Sequence, residues 1–346
     1  MGEILGIGTT HYPPGLVPAE HKPWPLARML HADPRIPDRL RDPANWPEPM
    51  RAELGDDDGI AAFVAHRERV FAAFRTLREE IHAFRPDFIV MWGDDQYENF
   101  REDVIPPFCV LAYDTLAFQP FKRLGNRPNI WGEPADKVFT WPGQPRAGRF
   151  LASRLLEAGL DVAYAYRPLH GDGVAHAFAN TLLYLDLDRQ GFAYPILPVT
   201  VNCYGRDVIR NRGGGSQHTT EADPPAPSPR RCFEVGRATA RIFRESQWRV
   251  VLMASSSWSH AFLTEKNHLL YPDLEADRAL LATLRASDFE SWRDLPLREL
   301  EAAGQHELLN WVCLAGAMAE LGAKMELVDW VETWLFNAPK CMAIFR

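Results

Sequence analysis

Polar residues of the kinds that bind metals and move protons follow several predicted strands of this 346-residue chain. They are His11, the cluster Asp94-Asp95-Gln96, His170 and His260. In open α/β sheets, ligands and reacting groups gather just beyond the carboxyl ends of parallel strands. If the sheet is parallel, the three histidines and the acidic cluster face one pocket, where they could hold a cation or transfer protons.

A further carboxylate comes from Glu307, in the first turn of a helix predicted from about His306 to Leu321. Apolar residues surround that helix broadly, so it is predicted to be mostly buried. A helix N-terminus stabilises an anion, which favours an ionised Glu307 even when it is partly desolvated. His11, Glu307 and one more donor would make a facial site of the kind that non-haem iron(II) oxygenases use.

Each of these features also has a simpler interpretation. Loop acids such as Asp94 often cap a turn, and Glu307 can be a capping glutamate. A single histidine is more often structural or on the surface than catalytic. Three histidines at one predicted sheet edge are what favours a site.

The predicted elements give an α/β order. A short strand at 4–8, a long amphipathic helix after Asp56-Asp57-Asp58 and a fully apolar strand at 88–92 form a β-α-β start, which implies a parallel sheet. Later strands are predicted at 161–166, 194–201 and 248–254, and helices at 149–158, 177–187, 232–244 and 275–286. We predict a single α/β domain with a mostly parallel central sheet, helices on both faces and the active site at the carboxyl edge.

Two segments interrupt this pattern. Residues 20–55 are rich in Pro and Trp and are expected to form an irregular excursion packed on the surface. Residues 205–231 contain Gly213-Gly214-Gly215 and a proline cluster, which predicts a mobile lid or a disordered loop. Both are expected to be additions to one domain that covers residues 1–346.

The composition disfavours several classes of protein. The net charge of −8 without a basic stripe argues against nucleic acid and anionic membrane surfaces as partners. No apolar run approaches the roughly 18 residues that a membrane-spanning helix needs. Five scattered cysteines without a CxxC pair predict reduced thiols in a cytoplasmic protein.

Short motifs in this chain resemble those of the class III extradiol ring-cleavage dioxygenases, the superfamily of the protocatechuate 4,5-dioxygenase catalytic subunit and the methylgallate-type enzymes. The motifs are Thr10-His11-Tyr12-Pro13, Asp95-Gln96-Tyr97 through Cys109, His170-Gly171, Ser259-His260, and Gly304-Gln305-His306-Glu307-Leu308 with Trp311. Two positions depart from the pattern. Gln96 stands where the family usually has a histidine ligand, and Leu169 stands where an Asp often precedes the histidine.

The resemblance implies an enzyme of aromatic compound catabolism that opens a catecholic ring by meta cleavage with Fe(II) and O₂. Iron would be held by His11, Glu307 and Gln96, with Asp95 as the alternative to Gln96. His260 would act as general base and His170 would assist the peroxide rearrangement. Tyr12, Ser256 and Ser257 would contact the substrate.

The sequence is also compatible with two other functions. A metal-poor relative could bind a small aromatic or a protein partner without turnover, and a divalent-metal hydrolase could use the same scaffold. The substrate is not specified by the sequence, although Arg206 or Arg210 could bind an anionic aromatic acid. A homo-oligomer is compatible with the sequence.

Overall fold

The computed structural model describes residues 1–170, 173–211 and 222–346, without the side chains of residues 210 and 211. Its strands and helices are, in chain order, β1 (Glu3–Thr9), α1 (Leu26–Ala32), α2 (Glu48–Leu54), α3 (Ile60–Phe84), β2 (Phe88–Asp94), β3 (Phe108–Leu111), β4 (Thr115–Phe118), β5 (Phe139–Pro142), α4 (Pro145–Glu157), β6 (Ala163–Ala165), α5 (His176–Leu185), β7 (Ile196–Val201), α6 (Val208–Asn211), α7 (Pro229–Arg244), β8 (Arg249–Ser255), α8 (Leu274–Arg285), α9 (Leu297–Ala302), α10 (Leu308–Leu321), β9 (Met325–Val331) and β10 (Lys340–Phe345).

An eight-stranded sheet with the order β6-β3-β7-β2-β8-β1-β10-β9 forms the centre of the fold. Its four middle strands, β7, β2, β8 and β1, run parallel. β10 pairs antiparallel with β1 and with β9, and β3 pairs antiparallel with β7. The middle strands are almost entirely buried, as expected for parallel strands that are covered on both faces.

Helices cover both faces of this sheet. α7 and α10 pack together over one face, where α10 contacts β1, β2 and β8, whereas α3 and α5 cover the other face. The two helices of the first face approach closely, because a Cβ added at Gly236 would lie 1.8 Å from the Cys313 carbonyl oxygen, and one at Gly316 would lie 2.1 Å from that of Phe233. Side chains larger than hydrogen at these crossing points are therefore excluded.

The predicted fold class is confirmed, and most predicted elements occur within a few residues of their expected bounds. The prediction missed β3, the β4–β5 hairpin and the β9–β10 hairpin. The excursion at 20–55 contains α1 and α2, and its apolar residues pack with Leu335 and Phe336 in a separate cluster. The predicted lid or disordered loop at 205–231 falls partly outside the described residues, since 212–221 are not described. Among the described residues, no helix is both long enough and apolar enough to cross a bilayer.

Candidate active site

Three neighbouring parallel strands bring the candidate site together. Thr9 at the end of β1 is in register with Ser255 at the end of β8, and Trp92 of β2 is in register with Ala254. The carboxyl ends of these strands therefore align, and the chain beyond them carries His11, Asp94 and His260 to one edge. Glu307 reaches the same edge at the start of α10.

His11 is held as a neutral imidazole with one nitrogen turned to the site. Its Nδ1–H donates to the carbonyl oxygen of Ser255 at 2.9 Å, which leaves Nε2 as an unprotonated acceptor. Burial lowers the pKa of His11 to about 4, against the opposing effect of the Glu307 charge. A neutral ring whose other nitrogen is fixed by a carbonyl is the usual state of a metal-binding histidine.

Two buried carboxylates face this nitrogen. Glu307 Oε2 lies 3.5 Å from His11 Nε2, and Asp94 Oδ1 lies 3.8 Å from it. Within the described part of the chain, neither of these two oxygens has a hydrogen-bond partner, although both residues are at most 1% exposed. Buried polar atoms without a partner are rare and call for an explanation such as an ion. Burial and the neighbouring Glu307 raise the pKa of Asp94 well above its ordinary value.

Gln96 lies between the two carboxylates as a donor. Its Nε2 is 3.0 Å from Asp94 Oδ2, 3.0 Å from Glu307 Oε1 and 2.8 Å from the Tyr204 hydroxyl. Because carboxylate oxygens only accept, the amide presents N–H groups to them and turns its carbonyl oxygen elsewhere. The expected metal ligand Gln96 thus reaches the site, but as a group that ties Asp94 to Glu307.

The donor set fits a divalent cation. Ligand atoms of His11, Asp94 and His176 lie within 4.8 Å of one another, and Glu307 Oε2 adds a further oxygen 3.5 Å from His11 Nε2. Imidazole together with carboxylate suits iron(II), manganese and related ions. Two partnerless oxygens next to an unprotonated imidazole nitrogen offer the negative charge and the lone pairs that such an ion requires.

His176 was not predicted from the sequence. It begins α5, and its ring packs edge-on against that of His11 with centroids 4.8 Å apart. Its Nδ1–H and its backbone N–H donate to the carboxylate of Glu98. Burial alone lowers the pKa of His176, but Glu98 and Asp94 outweigh it and raise the pKa. The clue in the sequence is weak, because Glu98 and His176 lie 78 positions apart.

His260 lies on the other side of Glu307. Its Nδ1–H donates to the Trp258 carbonyl at 2.9 Å, which leaves Nε2 unprotonated at 3.5 Å from Glu307 Oε1. Burial lowers the pKa of His260, although Glu307 opposes that effect. The neutral ring therefore presents a lone pair that can accept a proton.

Other predicted residues lie away from this cluster. His170 pairs with Asp103 at 3.2 Å on the surface, with 28% of its side chain exposed. Asp95 turns back to its own loop, where it accepts the backbone N–H groups of residues 98, 99 and 100.

The three expected substrate contacts are buried in the structure beside the site. Ser256 donates to the Glu307 carbonyl, Ser257 bonds Thr10, and the Tyr12 ring packs under Lys340. Among the described residues that line the cavity, none of these three appears. These contacts lie in the chain around His11 and Glu307, and the expected contact of the three residues with substrate stays a prediction.

A cavity of about 600 Å³ opens over the cluster. His11, Gln96, His176, His260 and Glu307 line it, together with Arg28, Arg35, Arg123 and Arg127. Arg206, which was considered for an anionic substrate, lies near Glu301 instead, at 3.8 Å. The side chain of Arg210 lies outside the described residues. The cavity thus has a polar, metal-competent end and a wall that carries arginines.

Comparisons with known proteins identify related enzymes. Residues 219–335 match the family model of the catalytic LigB subunit of aromatic ring-opening dioxygenase. A 2,3-dihydroxyphenylpropionate/2,3-dihydroxicinnamic acid 1,2-dioxygenase from Cupriavidus necator is 27% identical over 315 residues, which cover 80% of this chain and 90% of the relative. The protein of the same name from Paraburkholderia xenovorans (strain LB400) is 30% identical over 307 residues, which cover 79% and 87% of the two chains. The chain therefore belongs to the class III extradiol ring-cleavage dioxygenases, the superfamily of the catalytic LigB subunit.

Proposed function

We propose that this protein uses iron(II) and O₂ to open the ring of a catecholic substrate by extradiol (meta) cleavage. The observation that carries the proposal is the convergence of His11 Nε2 with the partnerless carboxylate oxygens of Glu307 and Asp94, where His11 and Glu307 line one end of a cavity of about 600 Å³. Two further histidines flank this point, which gives the site both a metal-binding and a proton-transferring part.

His11, Asp94 and Glu307 would hold the ion, and Gln96 would fix the two carboxylates relative to each other. In this set Asp94, whose Oδ1 faces His11, takes the place expected for Gln96 or, as the alternative, Asp95. When bound, iron(II) would supply a common binding point for the catecholate oxygens and O₂. One imidazole and two carboxylates form a harder ligand set, in the hard–soft sense, than two imidazoles and one carboxylate. Manganese(II) is therefore the competing ion to test.

The histidines on either side divide the proton transfers. His260 accepts a hydroxyl proton of the catechol at Nε2, because its Nδ1–H is occupied by the Trp258 carbonyl. His176, which Glu98 keeps as a hydrogen-bond donor at Nδ1, takes the part in the peroxide rearrangement that the resemblance implies for His170. His170 is not among the described residues that line the cavity, and its ring pairs with Asp103 at 3.2 Å.

The names of the relatives favour a catechol that carries an acidic side chain, and the arginines along the cavity wall are compatible with one.

Buried free thiols agree with the proposal that the protein acts in the reducing cytoplasm.

O₂ uptake and the yellow ring-opened product, measured with a panel of 3-substituted catechols after anaerobic iron loading, test the proposal. Wild-type protein should consume O₂ and form the product, and His260→Ala and Glu307→Ala should each lose at least about a hundredfold in kcat/KM. His170→Ala is the control and should retain most activity. Near-wild-type rates in both site variants would contradict the proposal.

Metal analysis and O₂ dependence separate the alternatives. A protein that binds catechols but takes up no metal would be a binding relative, and activity that persists without O₂ would indicate a hydrolase.

A further inference from the structure

The wall of the cavity carries more positive than negative charge away from the metal-binding end. Arg28, Arg35, Arg123 and Arg127 line it, whereas Asp33 and Glu98 are the acids on the same wall. Arg35 is paired with Asp33. In the described part of the chain, Arg28 and Arg127 have no carboxylate partner. An anionic group that enters this cavity therefore meets a net positive surface.

Arg123 is the arginine of this wall that is tied to the reacting end. It lies in the 3₁₀ helix Pro120–Leu124, and its Nη1 contacts Glu98 Oε1. Glu98 is only 4% exposed and also binds the ring and the backbone N–H of His176. A chain of contacts thus runs from the arginine through Glu98 to the histidine beside His11.

The contact with Glu98 fixes Arg123 without using all of its donors. A guanidinium has five N–H groups in a planar fork, whereas the Glu98 carboxylate that Nη1 contacts has two oxygens, which also accept from the His176 ring. The side chain remains 48% exposed and lines the cavity. Because the fork is already held, less side-chain entropy is lost when it binds a second anion.

We propose that Arg123 is a specificity-determining residue that binds the anionic substituent of the substrate through its free N–H groups. The inference rests on the proposed catechol-cleaving function and names how that site selects among catechols. Glu98 orients the guanidinium on one side and His176 on the other. One buried carboxylate therefore fixes the group that binds the anionic substituent relative to the histidine that acts on the catechol ring.

The test compares 3-(2,3-dihydroxyphenyl)propionate with its uncharged methyl ester. Dissociation constants are measured anaerobically by calorimetry on iron-loaded protein, and kcat/KM is measured in air for the same pair. Wild-type protein should bind the acid about 10- to 100-fold more tightly than the ester, the range expected for a charge-assisted hydrogen bond. In Arg123→Met this preference should fall at least about tenfold, and Arg123→Lys should keep part of it.

Lys122→Met is the matched control, because it removes the same charge from the same 3₁₀ helix but does not line the cavity. It should keep the wild-type preference. If the pair between Arg123 and Glu98 is purely structural, Arg123→Met would weaken the binding of the acid and of the ester equally. The ratio of their dissociation constants would then stay unchanged, which would overturn the inference. So would a wild-type ratio near one in a protein that opens both rings. Wild-type protein that opens neither ring contradicts the proposed function itself.

Discussion

Replacing Asp94 by Asn should make the metal-free protein more stable and remove its response to metal. Asp94 Oδ1 is buried, has no hydrogen-bond partner within the described structure and lies 3.8 Å from the unprotonated His11 Nε2. Without an ion, this carboxylate and Glu307 place two acidic groups in one desolvated site. The amide of Asn keeps an acceptor for Gln96 and offers N–H groups to His11.

The magnitude follows from the cost of a buried, unsatisfied polar group, about 1–3 kcal/mol and more if it is charged. The free energy of unfolding of metal-free Asp94→Asn should therefore exceed that of wild type by about 1–3 kcal/mol. In wild type, metal at about 100 times its dissociation constant should add about 2.7 kcal/mol. The variant should gain less than about a third of that, because it lacks a charged ligand.

Urea unfolding at pH 7, with chelator or with anaerobic iron(II), measures both quantities. Asp95→Asn is the matched control, because the neighbouring carboxylate is also buried but accepts the N–H groups of its own loop. It should gain as much stability from metal as wild type does. If Asp94→Asn lowered the stability of the metal-free protein, or responded to metal as wild type does, the assignment of Asp94 as a ligand would be wrong.

Three further predictions concern the scaffold. Gly316→Ala should lower the free energy of unfolding by about 3 kcal/mol in urea titrations, because its Cβ would lie 2.1 Å from the Phe233 carbonyl oxygen. An unchanged urea midpoint would contradict the close crossing of α7 and α10. Asp277→Ala should lower the free energy of unfolding by about 2–3 kcal/mol in the same assay, since the buried Asp277 carboxylate accepts from the Ser259 N–H and the Gln305 side chain. A loss below about 0.5 kcal/mol would show that these donors find other partners. Arginines on α7, chiefly Arg241, lower the pKa of Glu320 below its ordinary 4.5. The ionised Glu320 carboxylate therefore contributes to the free energy of unfolding above about pH 4.5, and this contribution is lost as the pH falls through the pKa of the folded protein. Glu320→Gln should therefore be about 1 kcal/mol less stable than wild type at pH 7, and this difference should shrink in acid; a constant difference would refute the ionic origin.

The sequence predicted which segments converge, but not which side chain of the 94–96 segment faces His11. Apolar runs that stop at a polar residue indicate where a buried strand ends, and the ends of adjacent parallel strands must meet. That rule was sufficient to bring His11, the 94–96 segment and His260 to one edge, and a buried helix start added Glu307. It could not tell which of Asp94, Asp95 and Gln96 faces His11, because that depends on where β2 ends and how the next turn closes.

His176 shows a second limit. Its orientation comes from Glu98, which lies 78 positions away and comes close only through the packing of α5 on the sheet. His170 had the better motif, but its side chain pairs with Asp103 outside the cavity. The missed β10 is almost entirely buried and pairs antiparallel with β1, and such a short terminal apolar run has no periodicity to mark it.

Single turnover under oxygen-18 gas tests the central claim most directly. Iron(II)-loaded wild-type protein is mixed with 3-(2,3-dihydroxyphenyl)propionate, and the product is analysed by mass spectrometry beside Glu307→Ala treated in the same way. We expect a ring-opened product from wild type with both added oxygen atoms drawn from the gas, and unreacted catechol from the variant. Equal product from both proteins, or an opened ring without label from the gas, would contradict it.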